Sequence, residues 1–110
     1  MSKAVQVTTA TFEDQVLLAD QPVIVDFYAD WCGPCKMLSP VLEQLGTEHT
    51  EVKITKVNVD EEPELAERYR VRGIPYVAIF REGKLAGQAV GYRPKAVLEA
   101  DLGLNGNKPA

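Results

Sequence analysis

Val23-Ile24-Val25-Asp26-Phe27-Tyr28-Ala29 runs, after a single aspartate, into Trp31-Cys32-Gly33-Pro34-Cys35. The first part is nearly continuous apolar sequence rather than an alternation, which predicts a strand covered on both faces. The cysteines that follow are the only 2 in the chain. A reactive group at the carboxyl end of a central strand, where the next helix opens, is a common arrangement in α/β folds. In a helix's first turn the backbone N–H groups lack intrahelical partners and the macrodipole is positive. Both features favour thiolate over thiol, and the thiolate is the nucleophile. Two thiols so spaced can close a small disulfide ring at such a helix start. Gly33 puts no side chain in the path of an approaching substrate. Pro34 fits a first helical turn, where its missing N–H costs little. The pentapeptide reads as a thiol–disulfide exchange site.

Downstream of it, Leu38, Val41, Leu42 and Leu45 keep helical spacing and predict a helix from about Gly33 to Glu48. Pro40 lies inside that span. It marks either a break between two short helices or a kink in one, and the unbroken apolar period favours the kink. His49, near the helix end, is the only histidine. It reads as a solvated residue favoured by the C-terminal dipole.

Upstream, Val5 and Val7 suggest a short first strand. Thr11 is placed to cap a helix from Phe12 to about Ala19, with Asp14 in the capping-box position. Val52 to Val59 reads as a third strand. The acidic run Asp60-Glu61-Glu62-Pro63-Glu64 suits the start of a short helix ending near Tyr69, or less readily an acidic docking patch. Tyr76 to Phe80 is a strand, Glu82-Gly83 a turn signal, and Leu85 to Val90 its hairpin partner. Pro94 is placed as the first residue of a last helix with Val97, Leu98 and Leu102 inward and Gly103 as its stop. The order β-α-β-α-β-α then β-β-α implies an α/β fold with a mixed sheet and right-handed crossovers.

The bulk composition fits. The chain has 110 residues, 45% of them hydrophobic and 25% charged. That is one domain over 1–110, with an ordered core of about 4–104 and a flexible tail over 105–110. A net charge of −4, from 12 basic and 16 acidic residues, argues against nucleic acid or a membrane surface as the main partner. No apolar run is long enough to span a bilayer. Met1-Ser2-Lys3-Ala4-Val5-Gln6 has no signal-like apolar region, so a reducing cytoplasmic location is expected. There a C-x-x-C is more often redox-active or metal-binding than a structural staple.

Three further positions bear on the thiols. Asp26 sits mid-strand among apolar neighbours, where a charge is expensive and desolvation should raise its pKa. It is either a half-buried acid that exchanges a proton with Cys35 or a strand-end residue meeting solvent, and its place on the strand feeding the site favours the first. Lys56 is a candidate partner for Asp26 across neighbouring strands, or a lysine snorkelling to the surface. Pro75, in Arg72-Gly73-Ile74-Pro75-Tyr76, is an ordinary trans proline opening a strand by general frequency, and cis is the alternative.

These residues together resemble the thioredoxin family, bacterial type, from about Val5 to Gly103. The resemblance rests on Trp31-Cys32-Gly33-Pro34-Cys35-Lys36-Met37, Val25-Asp26-Phe27, Pro40, Lys56-Val57-Asn58-Val59-Asp60, Arg72-Gly73-Ile74-Pro75 and Val90-Gly91. It implies a thioredoxin fold: a central mixed sheet with helices on both faces. It implies that Cys32 is the exposed attacking thiolate, Cys35 the buried resolving thiol, and Asp26 the buried proton-transfer acid with Lys56 beside it. A cis Pro75 facing the dithiol follows from it too. Trp31, Gly33, Pro34, Gly73, Ile74, Pro75, Tyr76 and Gly91 would be the substrate-binding residues. No cofactor and no metal are implied. The implied partners are disulfide-containing proteins and thioredoxin reductase, met by a monomer. Two residues depart from the commonest family pattern: Tyr76, where threonine is more usual, and Tyr28, where many members carry a second tryptophan. Tyr76 bears on substrate preference, reductase fit and redox potential, but not on the exchange chemistry. Two other classes stay open. A metal-binding module would need ligands from a second chain, because four are required. A scaffold subunit would not use the thiols at all.

Overall fold

The computed structural model describes residues 4–104; the expected flexible tail lies outside them. Five strands form one sheet in the order β1-β3-β2-β4-β5, with β1 Val5–Gln6, β2 Val23–Tyr28, β3 Lys53–Asn58, β4 Tyr76–Arg81 and β5 Lys84–Val90. β1 and β2 run parallel to β3, whereas β4 is antiparallel to both β2 and β5. The sheet is therefore mixed, and β2 lies at its centre. Three helices complete the fold: α1 Gly33–Glu48, α2 Pro63–Arg68 and α3 Lys95–Asp101.

The near-continuous apolarity of β2 has the expected cause. Its even positions face one layer and its odd positions the other, as a strand's two-residue period requires. Ile24 packs with Leu38, Leu42 and Leu45 of α1 and Leu98 of α3. Val23, Val25 and Phe27 pack on the opposite face with Phe12, Val16, Leu65 and Phe80. Asp26 is the one carboxylate in β2, and its register opposite Lys56 on β3 and Val77 on β4 places it inside the sheet rather than at its edge.

Pro40 does not break α1, which runs as a single helix from Gly33 to Glu48. The layer formed by Leu38, Leu42 and Leu45 holds both sides of the proline to the same sheet face. The helix expected from Phe12 to Ala19 is instead a single π-helical turn over Glu13–Leu17, with no side-chain cap. Thr11 is not free to cap it. Its Oγ1 accepts the Thr8 N–H at 3.0 Å while its own N–H donates to Thr8 Oγ1 at 3.3 Å. The turn is closed by Leu18 N–H on the Glu13 carbonyl, 2.9 Å. His49 differs as well. Rather than standing in solvent it caps α1, with Nε2 2.7 Å from Glu99 of α3.

α2 and α3 end in the same hydrogen-bonded pattern. After α3, Gly103 sits at φ 72°, Leu104 N–H reaches the Glu99 carbonyl at 2.7 Å, and Gly103 N–H reaches Ala100 at 3.2 Å. After α2, Val71 N–H reaches Ala66 at 2.8 Å and Arg70 N–H reaches Glu67 at 3.1 Å. The left-handed residue there is Arg70, at φ 55°. Glycine is favoured at this position because a Cβ strains the left-handed backbone. Arg70→Gly should therefore stabilise the fold by about 1 kcal/mol. A urea titration reads the change, and an unchanged or lower midpoint would contradict the strain argument.

Candidate active site

The tight turn between β2 and α1 delivers Cys32 to the helix N-cap position, with φ −88° and ψ 108°. Its extended backbone points the side chain back over the first turn. There Sγ accepts the Cys35 N–H at 3.1 Å, occupying one of the helix's free donors. Cys32 and Cys35 are joined in a disulfide, their Cα atoms 5.3 Å apart. Each amide and dipole that solvates Sγ here would also stabilise a thiolate at Cys32 after reduction. Gly33 leaves open space where a Cβ would stand, and Pro34 is exposed beside it.

One expectation needs correction. An exposed Cys32 and a buried Cys35 do not describe this form, in which they are 4% and 5% exposed. The disulfide pair packs with Ala29, and Tyr28, Val59 and Ile74 surround it. What distinguishes the two is a cleft of about 170 Å³ lined by Asp26, Tyr28, Ala29, Asp30, Cys35, Lys36, Ser39 and Lys56. Cys35 opens onto it and Cys32 does not.

Asp26 forms the inner wall of that cleft. The residue is 8% exposed, and its Oδ1 has no hydrogen-bond partner among the described residues. Burial raises its pKa from 3.8 to about 7, against the opposing pull of the Lys56 ammonium. Desolvation wins because the carboxylate is almost wholly withdrawn from water, whereas Lys56 is only half-buried and keeps part of its charge screened. Lys56 stands at register opposite Asp26, and its Nζ lies 5.8 Å from the centre of the Tyr28 ring. Neighbouring strands thus bring Asp26 and Lys56 to the cysteine pair, although they are far apart in sequence.

The rim comes from separate loops. Trp31 is 71% exposed, yet it is held in place by its indole N–H, which donates to Asp60 Oδ2 at 2.9 Å. Asn58 Oδ1 accepts the Asp60 N–H at 2.9 Å and fixes that loop. The Ile74–Pro75 peptide bond is cis. Ile74 touches the disulfide cluster, and the Pro75 carbonyl accepts the Gly91 N–H at 2.7 Å. Gly91 has φ 86°, a conformation for which glycine is suited. Gly73 is exposed and approaches Val90. Tyr76 lies apart from the dithiol. Its ring packs edge-on against Phe27 at 5.6 Å on the far face of the sheet, and its hydroxyl donates to Gln88 Oε1.

One participant was not legible as such in the sequence: Asp60 belongs to an acidic run that reads as helix decoration, yet it anchors Trp31. The only signal for it was the presence of the acidic run itself.

A cysteine pair that closes at a helix N-terminus, on a mixed sheet with helices on both faces, defines the class of redox-active dithiol proteins. Comparison with known proteins narrows this. The family model described as thioredoxin matches residues 3–103, and the chain belongs to the thioredoxin family. It is 45% identical over 103 residues to thioredoxin 1 of Nostoc sp., covering 93% of this chain and 96% of that protein. It is 46% identical to thioredoxin 1 of Synechococcus elongatus with the same coverage. With the thioredoxin of Pseudomonas aeruginosa it shares 44% identity, over 92% of this chain and 94% of that one. The chain is a thiol–disulfide oxidoreductase of the protein-disulfide reductase type. Disulfide-bearing proteins and a thioredoxin reductase are the general partners of the family. Among the described residues no helix is long and apolar enough to cross a membrane.

Proposed function

We propose that Cys32 is the attacking sulfur, Cys35 the resolving one and Asp26 the proton acceptor for Cys35. The observation that carries this division is the cleft: it joins Asp26 and Lys56 to Cys35 and leaves Cys32 outside. In the reduced protein the Cys32 thiolate attacks one sulfur of a substrate disulfide. A Cys32–substrate bond forms, the substrate S–S bond breaks, and the first substrate thiolate leaves and takes up a proton from solvent. Cys35 then gives its proton to the Asp26 carboxylate and attacks Sγ of Cys32. The mixed disulfide breaks, the Cys32–Cys35 bond forms, and the second substrate thiolate is released and protonated. The substrate gains two electrons and the protein loses two; a reductase returns them. Held at this distance, the second thiol has an effective concentration on the order of 10⁵ M or more. A carboxyl whose pKa lies near 7 can both take and return the proton at neutral pH.

Trp31, Gly33, Pro34, Gly73, Ile74, Pro75, Tyr76 and Gly91 form the substrate-binding rim in this reading. Their placement around the disulfide supports all but Tyr76, whose ring packs on the far face of the sheet. The chain works as one domain over 1–110, as a monomer in the cytoplasm. The expected result is that Cys35→Ser accumulates covalent mixed disulfides with protein substrates and Cys32→Ser does not, read on non-reducing gels after acid quench. Equal trapping by both variants would overturn the division of roles.

A further inference from the structure

The departure at Tyr76 leads away from the dithiol to a hollow that the exchange chemistry does not use. It is about 400 Å³, lined by Tyr69, Arg70, Arg72, Gly73, Tyr76, Leu85, Gln88 and Val90. It begins at Gly73, one residue from Ile74, which packs on the disulfide. A polypeptide lying extended over Cys32 and Ile74 advances about 3.3 Å per residue, so it meets the hollow within a few residues of its cysteine.

The chemistry of the hollow is specific. Arg70 and Arg72 are exposed, and neither guanidinium has an ion-pair or hydrogen-bond partner among the described residues. This is notable in a chain of net charge −4. Glu67 lines a second hollow with Ala66, Arg70, Val71 and Arg72 and does not line this one. Tyr76 donates its hydroxyl hydrogen to Gln88 Oε1, which turns the amide so that its NH₂ is the free end. Two guanidinium groups and an amide thus line one hollow, whose apolar walls come from Leu85 and Val90. Guanidinium and amide donors on an apolar floor match a carboxylate on a short hydrocarbon stem. Arg70 also occupies the left-handed position after α2 that glycine would fill without strain; strain kept at a particular residue points toward a use for its side chain.

We propose that this hollow is a specificity pocket that binds a side-chain carboxylate of the disulfide-bearing polypeptide. It selects substrates with Asp or Glu a few residues from the attacked cysteine. The proposal rests on the exchange reading above and names a substrate class for it.

The test uses the reduced full-length protein and cyclic peptides closed by one disulfide. These carry Glu, Gln or Lys at each position up to about four residues from the attacked cysteine. Within each protein the ratio of kcat/KM for Glu over Gln is read, so changes common to both peptides cancel. In the unaltered protein the ratio should reach about fivefold at one position, the scale of one partly exposed ion pair. Arg70→Ala with Arg72→Ala should bring it to about one, and Arg70→Glu with Arg72→Glu should make the Lys peptide preferred. A ratio of one at every position in the unaltered protein overturns the pocket while leaving exchange intact. So does a Glu preference that survives the double alanine change. If no peptide of any series is reduced, the exchange reading falls and the pocket falls with it.

Discussion

Asp26→Asn should raise the stability of the oxidised protein by about 4 kcal/mol above pH 8, and by almost nothing near pH 4. The size follows from a carboxyl whose pKa is about 7 in the fold and 3.8 outside it. The sign follows from proton counting. Between those two values the unfolded chain has lost the Asp26 proton and the folded one has kept it. Unfolding therefore releases a proton, and stability falls as pH rises across that window. The favourable contribution of the protonated carboxyl is complete below pH 3.8 and is lost by the time pH passes about 7. An amide cannot ionise, so the variant escapes the decline. Urea titrations of both proteins at several pH values read the difference directly. Equal gains at pH 4 and pH 8 would mean that burial is not the cause. The same substitution should slow release of the second substrate thiolate by about 10² or more, because the acceptor for the Cys35 proton is gone. Greater stability with slower exchange from one change is the expected mark of a buried group retained for chemistry.

Phe12→Ala should cost about 4 kcal/mol. Phe12 is fully buried and sits at the crossing of an aromatic cluster. Its ring is 5.4 Å from Tyr69 and 5.7 Å from Phe80, the latter pair nearly perpendicular. Tyr69 in turn meets Phe80 edge-on at 5.3 Å. Removing the ring leaves a void walled by the sheet, the π-turn, and Leu65 and Tyr69 at α2, and the strands cannot move in far without breaking sheet hydrogen bonds. Lost transfer energy and lost packing therefore add. Because the cluster lies on the face of β2 opposite Asp26, the variant should still cycle its thiols wherever it remains folded. Chemical denaturation gives the cost, and a loss under about 1 kcal/mol would show that the face collapses around the gap. A folded variant with no exchange activity would show that the two faces are coupled.

Much of the architecture was legible because it is set by local periodicity. The apolar run of β2, the apolar spacing of α1 and the stops at Gly103 and Glu82-Gly83 all place elements close to where they stand. The π-turn was not legible. Its form depends on Thr8 and Thr11 satisfying one another, and no propensity reports a reciprocal pair. Pro40 illustrates the converse: a residue that ends most helices is carried through this one by side chains packed on the sheet.

The site divides in the same way. Adjacent residues set its first step, since Trp31 to Cys35 places two sulfurs at a helix start whatever lies around them. Much of what surrounds those sulfurs comes from elsewhere in the chain. Lys56 beside Asp26, Asp60 beneath Trp31, Gly91 on Pro75 and the arginine-lined hollow behind Tyr76 exist only once strands are paired and loops are docked. Short-range order can be read from spacing, because a helix or strand repeats at fixed intervals. Desolvation and charge proximity have no such interval. They depend on which distant surfaces come to exclude water together, and that is decided by the packed sheet.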